Sequence, residues 1–479
     1  MNGQYDVIVI GAGPAGAEAA ATATGLGLTT LVIDEARAAG GLVYRTPDPG
    51  VTTNDPDGSA LRARLAGCGA TLAFEHRVWH VARIAPTDER PQYFEVSAVG
   101  PAGVVAARGA TLIVATGAVE RCYPRPGWTL PGVIGLGAAT VMLKAQRMLP
   151  GRRVVVAGPG PLAPLVANLI LQGGGKVVAT IDPNPLGRWF GAVPGAAKRP
   201  GLAAQGGSWL ARLVVKGVPA YRGWDVRAIN GRDGVESVTV GPVDARWRPV
   251  PGAAVRTFEA DAVCLGYGLT PAIEIYRLLG ADEHYVPALG GWVPVQGKGR
   301  RTSVARLYAA GDGAGVHGAA AAPLSGRLAA MTAAFDLERL DAATYEHQSA
   351  AAQAEFARAA RFGSAMARLV APLASAMADV PDDTIVCRCE DVTAGVIRAE
   401  VAAGVREINA IKDATRCGMG PCGGRLCADA AAALIECAGV PFVEIGRLTA
   451  RPPLRPVPLA ALTGTYDYSD IPLPEKLDT

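Results

Sequence analysis

From Tyr5 to Ile10 the chain runs as an apolar, β-branched segment, the pattern of a buried strand. A glycine turn follows. The alanine-rich stretch from about Ala15 to Leu26 then predicts a helix, and Thr29 to Ile33 predicts a second, parallel strand. That order is a β-α-β unit. A second such unit begins at Arg153 to Ala157, passes through Gly158-Pro159-Gly160 and continues at Val177 to Ile181. Two dinucleotide-type folds are therefore expected, one inserted within the other. Between residues 341 and 379, Phe356, Ala360, Met366, Leu369 and Val370 recur at helical spacing among alanines and predict one or two linking helices. Residues 381–440 form a compact cysteine module. From about Thr449, Pro452, Pro453, Pro456 and Pro458 exclude regular helix and central strand, which predicts an extended tail lying on another surface.

Composition narrows the class. A length of 479 residues suits about three domains and a buried core. Half the residues are apolar and 19% are charged, which excludes a disordered chain. The net charge of +3 points to neither nucleic acid nor an anionic membrane as partner. Six of the nine cysteines crowd into the last hundred residues, so the pattern is not a disulfide framework and a reducing compartment fits. The N-terminus enters a strand without a basic and then apolar leader, and no apolar run reaches the roughly 18 residues of a membrane span. A cytoplasmic protein is expected, with any membrane association arising through a partner.

Gly11, Gly13 and Gly16 form G-x-G-x-x-G between strand and helix, with Pro14 and Ala15 inside the motif. The first glycine permits a tight turn, the second lets a pyrophosphate approach the backbone, and the third lets helix and strand pack closely. The phosphates would rest on the helix N-terminus. Asp34 ends the second strand where an acid accepts ribose hydroxyls, and Glu35 follows it. Thr111 to Gly117 is a strand running into a small-residue turn at Ala115, Thr116 and Gly117, and Thr302 to Asp312 ends in Gly311-Asp312. Both segments resemble signatures of the two-dinucleotide-domain flavoproteins, the glutathione-reductase and thioredoxin-reductase group. That likeness favours FAD over NAD at the first turn and implies that Asp312 bonds the flavin ribityl chain. A plain helix-capping role for Asp312 is the competing reading.

Gly158-x-Gly160-x-x-Ala163, with Asp182 ending the following strand, is a second phosphate-turn candidate. Pro161 and Pro164 fall in the first helical turn and lack the N–H groups that would hold phosphate. Both a working NAD(P) site and an altered pocket remain open.

Cys387 and Cys389 form C-x-C, and Cys417 and Cys422 form C-x4-C. Two thiolate pincers suit a [2Fe–2S] cluster, with structural zinc as the competitor. Glycines 418, 420, 423 and 424 let backbone N–H groups approach cluster sulfurs. Thr393 is a candidate cap for a helix starting near Ala394, and Cys427 and Cys437 read as small core residues of a helix from Arg425 to Cys437. The five histidines show no metal-ligand spacing; His317, just after the Gly-Asp turn, reads as a satisfied histidine near the flavin motifs. No C-x2-C lies near those motifs, which argues against disulfide-reductase chemistry.

Taken together, the chain resembles, over nearly its full length, the large α subunit of the heteromeric amino-acid and amine dehydrogenases: opine oxidases, D-hydroxyproline dehydrogenase, hydrogen cyanide synthase and the related sarcosine oxidases. The residues that carry the likeness are Asp34-Glu35 with Gly40, Gly41 and Arg45, then Ala115 to Arg121, Pro126 to Val133, Gly311 to Gly315, the cysteine module and Arg451 to Pro458. The module is similar to the bacterioferritin-associated-ferredoxin-like [2Fe–2S] domain. Two positions depart from the pattern: Leu42 stands where glutamine is common, and Ser325 where a glutamate often precedes Gly326-Arg327.

The resemblance implies an α/β, glutathione-reductase-like flavoprotein with two dinucleotide-binding domains, a small α-helical [2Fe–2S] domain and an extended tail. Residues 1–120 with 266–340 would bind FAD. Residues 121–265 would form the second, NAD-type domain, 341–380 a helical linker, 381–440 the cluster domain, and 441–479 a tail in contact with other subunits. The implied β subunit, smaller and FAD-containing, would oxidise a C–N bond. Further implications are an FMN at the subunit interface and a small γ subunit. The α subunit would pass electrons to an acceptor. A self-sufficient NAD(P)H-dependent flavin reductase is the alternative.

Overall fold

The computed structural model describes residues 3–52, 55–88, 91–197 and 199–462. The tail beyond residue 462 lies outside them. The first unit is built on β1 (Gln4–Ile10), α1 (Pro14–Gly25), β2 (Thr30–Ile33), α2 (Pro56–Ala66), β3 (Thr71–Ala73), β4 (Arg77–Ile84), β5 (Tyr93–Gly100) and β6 (Gly103–Val114). Its sheet runs β3-β2-β1-β6-β5-β4, with the strand Leu307–Ala309 also paired to β6. The β1, β2, β3 and Leu307–Ala309 pairings are parallel, while β4 and β5 pair antiparallel. Val7, Ile8, Val9, Leu31 and Ile113 are fully or almost fully buried. Strands covered on both faces need apolar side chains on both, hence the unbroken runs in the sequence.

One face of this sheet is covered by α1 and by the helix Ala322–Asp336. Their backbones approach closely: a Cβ on Gly326 would collide with the Ala15 carbonyl. The chain leaves the first unit through Ala118–Glu120 and returns through Leu269–Pro271, two short strands paired antiparallel. Between them stands the second unit. Its parallel sheet has the order Ala220–Arg222, Lys176–Asp182, Arg153–Ala157, Ala262–Leu265, Val133–Gly135, beside a three-stranded antiparallel sheet.

The linker is one long helix, Ala342–Leu369, opened by Asp341, whose carboxylate accepts the Thr344 N–H at 2.9 Å. A short 3-10 turn, Ala374–Met377, leads to the cysteine module. There, Ile385–Cys387 pairs with Val392–Thr393, and helices Ala394–Ala402, Ile408–Thr415 and Ala428–Cys437 close the core. Thr393 caps its helix as expected. The last of these helices starts three residues later than its sequence suggests, so Cys427 becomes its N-cap. The module does not hang free. Tyr123, Trp128, Ile181 and Tyr267 of the second unit share one core with Met377, Val386, Ile411 and Leu434. Trp128 Nε1 also donates to the Ile385 carbonyl at 2.7 Å.

Candidate cofactor and metal sites

At the first glycine turn the backbone is crowded by design. Gly11 has φ +101°, and a Cβ there would strike the Ala115 carbonyl; a Cβ on Gly16 would strike the Gly11 carbonyl. Gly13 is the N-cap of α1, Pro14 opens the helix, and no side chain caps it. The free N–H groups of that first turn therefore face outward with the dipole, a fitting cradle for a pyrophosphate. Asp34 is bonded within the turn. Its Oδ2 accepts the Ala12 N–H at 2.6 Å and its Oδ1 the Ala36 N–H at 2.7 Å, so both oxygens hold the turn itself. Burial raises its carboxyl, and those two bonds oppose the rise. The acid left open is Glu35, 60% exposed and 3.4 Å from Arg77. It lines a cavity of about 470 Å³ together with Arg45 and Arg77.

The other end of this groove is formed by Ala115 to Gly117 and by Gly311-Asp312. Thr116 donates to the Ala272 carbonyl at 2.8 Å, and Gly117 takes φ +71°. Asp312 Oδ1 accepts the N–H groups of His317 and Gly318 at 3.0 and 2.8 Å. Both bonds use one oxygen, Oδ1. Ser325 explains itself here: its hydroxyl accepts the Gly311 N–H and donates to the Ala322 carbonyl, both at 2.7 Å, fixing the turn without a charge. His317 is not satisfied as its sequence context suggested. Its Nδ1 is buried without a partner among the described residues, and burial, reinforced by Arg300, lowers its pKa to about 4. The ring stands edge-on to Phe356, 5.3 Å between centroids. Leu42, 57% exposed, projects beside Gly41, which packs on Gly13.

The second glycine turn is filled by the chain itself. Gly158 and Gly160 take φ +148° and +79°, as a phosphate turn would. The end of the linker helix lies on Gly160: a Cβ there would come 2.5 Å from Val370 Cγ1, and one on Gly268 2.9 Å from the Val370 carbonyl oxygen. Asn184 Nδ2 fastens this end by donating to the Leu369 carbonyl at 2.9 Å. Asp182 is equally engaged. Its Oδ1 accepts the Asn184 N–H at 2.9 Å, and its Oδ2 accepts Trp189 Nε1 at 2.7 Å and faces Arg222 at 3.5 Å. Burial pushes its carboxyl up to about 6.

Between the two turns sits Glu120, a group sequence reasoning placed only in a family pattern. It is half-buried, and both oxygens lie 3.1 Å from the Gly137 nitrogen. Burial raises it from 4.5 to about 7, against the N–H groups of Gly137, Leu136 and Ala138. The folded chain thus holds this proton more tightly than the unfolded one. The stability Glu120 contributes is full below about pH 4.5 and is lost as pH rises toward about 7. Glu120→Gln, which cannot ionise, is expected to flatten that fall by up to about 3 kcal/mol. Thermal melts at pH 5 and 7.5 measure it, and an unchanged difference between the two pH values contradicts it.

In the cysteine module five thiols converge rather than four. The sulfurs of Cys387, Cys417 and Cys427 lie within 4.8 Å of one another. Cys389 and Cys422 form a hydrogen-bonded pair of free thiols, with Cys389 also sensing Cys387. The hydrogen bond with Cys427, and then burial, push the Cys387 thiol well above its usual range, while the N–H groups of Gly418 and Glu390 favour its thiolate. So many thiols in one place cannot ionise together unless a cation shares the charge, which fits a metal centre. Gly420 must lack a side chain here, because a Cβ would collide with Cys389. Cys427 repeats the C-x4-C spacing from Cys422 but reads as a helix residue; the helix begins only at Ala428, after the Gly423-Gly424 turn at φ +62° and +80°. Asp429, two residues on, joins the module to the exit of the first unit: its Oδ2 accepts from Arg121 Nε at 2.9 Å and from Thr270 at 2.5 Å.

Known proteins agree with this arrangement. Residues 5–337 match the family model described as pyridine nucleotide-disulphide oxidoreductase. Residues 385–436 match the BFD-like [2Fe-2S] binding domain. The opine oxidase A subunit of Rhizobium meliloti is 36% identical, across 95% of this chain and 97% of its own length. The hydrogen cyanide synthase HcnB subunit of Pseudomonas aeruginosa is 31% identical, across 95% and 97%. Among solved structures, L-proline dehydrogenase from P. horikoshii superposes with a TM-score of 0.67 at 20% identity, covering 96% of this chain and 80% of that one, a likeness of fold. With its FAD-type groove and its thiol module, the chain belongs to the pyridine nucleotide-disulphide oxidoreductase family of flavoproteins, in the branch that contains the opine oxidase A and hydrogen cyanide synthase B subunits.

Proposed function

We propose that this chain is the electron-transferring subunit of a heteromeric dehydrogenase that oxidises the C–N bond of a secondary amine or amino acid, of opine, N-alkyl amino acid, hydroxyproline or glycine type. The observation that carries this reading is the combination of an open first groove, a filled second turn and a thiol module docked against both units. Bound in such sites, a flavin exchanges electrons singly or in pairs and a [2Fe–2S] cluster exchanges them singly.

The chain's own residues supply positioning. The N-terminus of α1 would hold the FAD pyrophosphate, Glu35 the ribose and Asp312 Oδ2 the ribityl chain. Four of the five converging cysteines would hold the cluster, Cys387, Cys389, Cys417 and Cys422 being the set that spacing favours. Arg121, Thr270 and Asp429 clamp the thiol loop against the strand that leaves Gly117. All of these roles are toward the cofactors. That is consistent with substrate oxidation in a separate, FAD-containing β subunit, with an FMN between subunits and a small γ subunit completing the complex.

The alternative, direct reduction by NAD(P)H, needs the second turn. Gly160 supports the linker end there, and both oxygens of Asp182 are bonded within the chain. The test is anaerobic addition of NADH, and separately NADPH, to the purified holoprotein. The flavin band is expected to stay oxidised, and to bleach only when the amine substrate is supplied together with the partner subunit. Rapid bleaching by either nicotinamide alone overturns the proposal.

A further inference from the structure

We propose that the C-terminal arm, residues 451–458, is a wall of the adenosine end of the first dinucleotide site and governs how tightly the nucleotide is held. The inference rests on the reading that the first glycine turn carries FAD. The 470 Å³ cavity beside that turn is bounded by Glu35, Arg45 and Arg77 of the first unit, and closed by Pro456 and Pro458. Those prolines come from the far end of the chain, more than 370 residues from Arg77.

The arm is fixed, not draped. Leu454 donates its N–H to the Trp79 carbonyl at 2.7 Å, so the arm lies along the edge of β4. Its own carbonyl accepts Arg425 Nη2 at 3.0 Å. Glu274 binds Arg425 at 2.6 Å and Arg455 at 3.6 Å, joining the thiol loop and the arm at one carboxylate. Upstream, Arg277 donates to the Leu448 carbonyl at 2.7 Å.

The chemistry of the cavity selects an adenine nucleotide with a diphosphate. Two prolines, lacking N–H groups, offer flat apolar faces to a purine. Glu35 is an acceptor for ribose hydroxyls. Arg45 points its charge toward Asp34 and has no carboxylate at ion-pair distance among the described residues, leaving a cation for phosphate. The described part of the tail thus serves the chain's own cofactor site, beyond the subunit contact its sequence suggests. Because Arg425 belongs to the thiol loop, module and nucleotide site are joined through this junction.

The experiment compares four purified holoproteins: the full chain, a chain ending at Leu462, a chain ending at Ala450, and the full chain with Pro456→Gly and Pro458→Gly. FAD release is followed by the rise in flavin fluorescence on dilution, and iron is assayed in parallel. Ending at Ala450 is expected to speed release roughly tenfold or more, and the double glycine variant several-fold. Ending at Leu462 should leave the rate unchanged. At saturating FAD the bound flavin spectrum should match the full chain in every case, since the arm touches only the adenosine end. Release rates within twofold across all four proteins overturn the proposal. If the shorter chain does not fold, the double glycine variant decides alone. If the full chain carries no FAD at all, the reading of the first turn fails, and ADP binding to the full chain and the double glycine variant still tests the wall.

Discussion

Replacing Cys389 with serine is expected to abolish the visible absorbance and the reduced-state EPR signal of the iron–sulfur centre, while the chain stays folded and keeps its flavin. Cys389 lies on the bend between the paired strands Ile385–Cys387 and Val392–Thr393, and its sulfur meets Cys422 across Gly420. Serine preserves volume but offers a hard oxygen to a soft metal, so about two iron and two inorganic sulfides per chain should be lost. The fold should survive because the module core is carried by Val386, Ile397, Ile411 and Leu434, none of which touches metal chemistry. Iron and sulfide contents equal to the parent would reject Cys389 as a ligand, and zinc without sulfide in the parent would reject the cluster. Cys427→Ser is the discriminating variant, because its sulfur lies within 4.8 Å of those of Cys387 and Cys417 although spacing favours the other four thiols. A [2Fe–2S] centre takes four sulfurs from protein, so of the five serine variants one should keep the spectrum, and that one names the thiol outside the ligand set.

Asp225→Ala is expected to cost about 3–5 kcal/mol, the largest single loss of stability foreseen for a residue outside the metal site. Asp225 and Arg125 are both buried, 2.7 Å apart, and Tyr267 donates its hydroxyl to the other carboxylate oxygen at 2.7 Å. The guanidinium also lies over the Tyr267 ring, 4.8 Å from its centroid. Removing the acid leaves a buried cation with no counter-charge, which is far worse than never having had the pair. Replacing both partners, Arg125→Met with Asp225→Leu, should recover much of the loss. Urea unfolding of the three variants measures this, and a single-variant cost below about 1 kcal/mol would show that water reaches the pair. Arg125 Nη1 also lies 3.8 Å from Met377 Sδ, at the entrance to the thiol module, so Asp225→Ala should loosen that joint as well.

Much of this molecule was legible in its residues for a physical reason. Val7 to Ile10, Leu31 to Ile33 and Val154 to Ala157 are strands covered on both faces, and such strands advertise themselves as unbroken apolar runs. Gly11 and Gly16 were legible because backbone crowding leaves no other residue there. The C-x-C and C-x4-C spacings were legible because ligand pincers are local. What escaped was non-local or a matter of one residue. Asp34 and Glu35 are neighbours, and only the turn decides which faces the groove. Cys427 joins the thiols through two positive-φ glycines. Val370 reaches Gly160, and Pro456 reaches Glu35, across hundreds of residues that no periodicity connects.

The packing of Leu369 and Val370 into the second glycine turn has one more consequence. The long linker helix is locked at its far end, and the module behind it shares a core with the second unit. Swinging the two sheet units apart would require pulling Val370 off Gly268, breaking the Asn184 bond and exposing that core. Motions of that size commonly take microseconds to milliseconds and gate turnover in hinged enzymes. In this chain the donor and acceptor sites are held in a stiff frame, so electrons pass at a fixed separation and the pace of the whole assembly is left to chemistry and docking elsewhere.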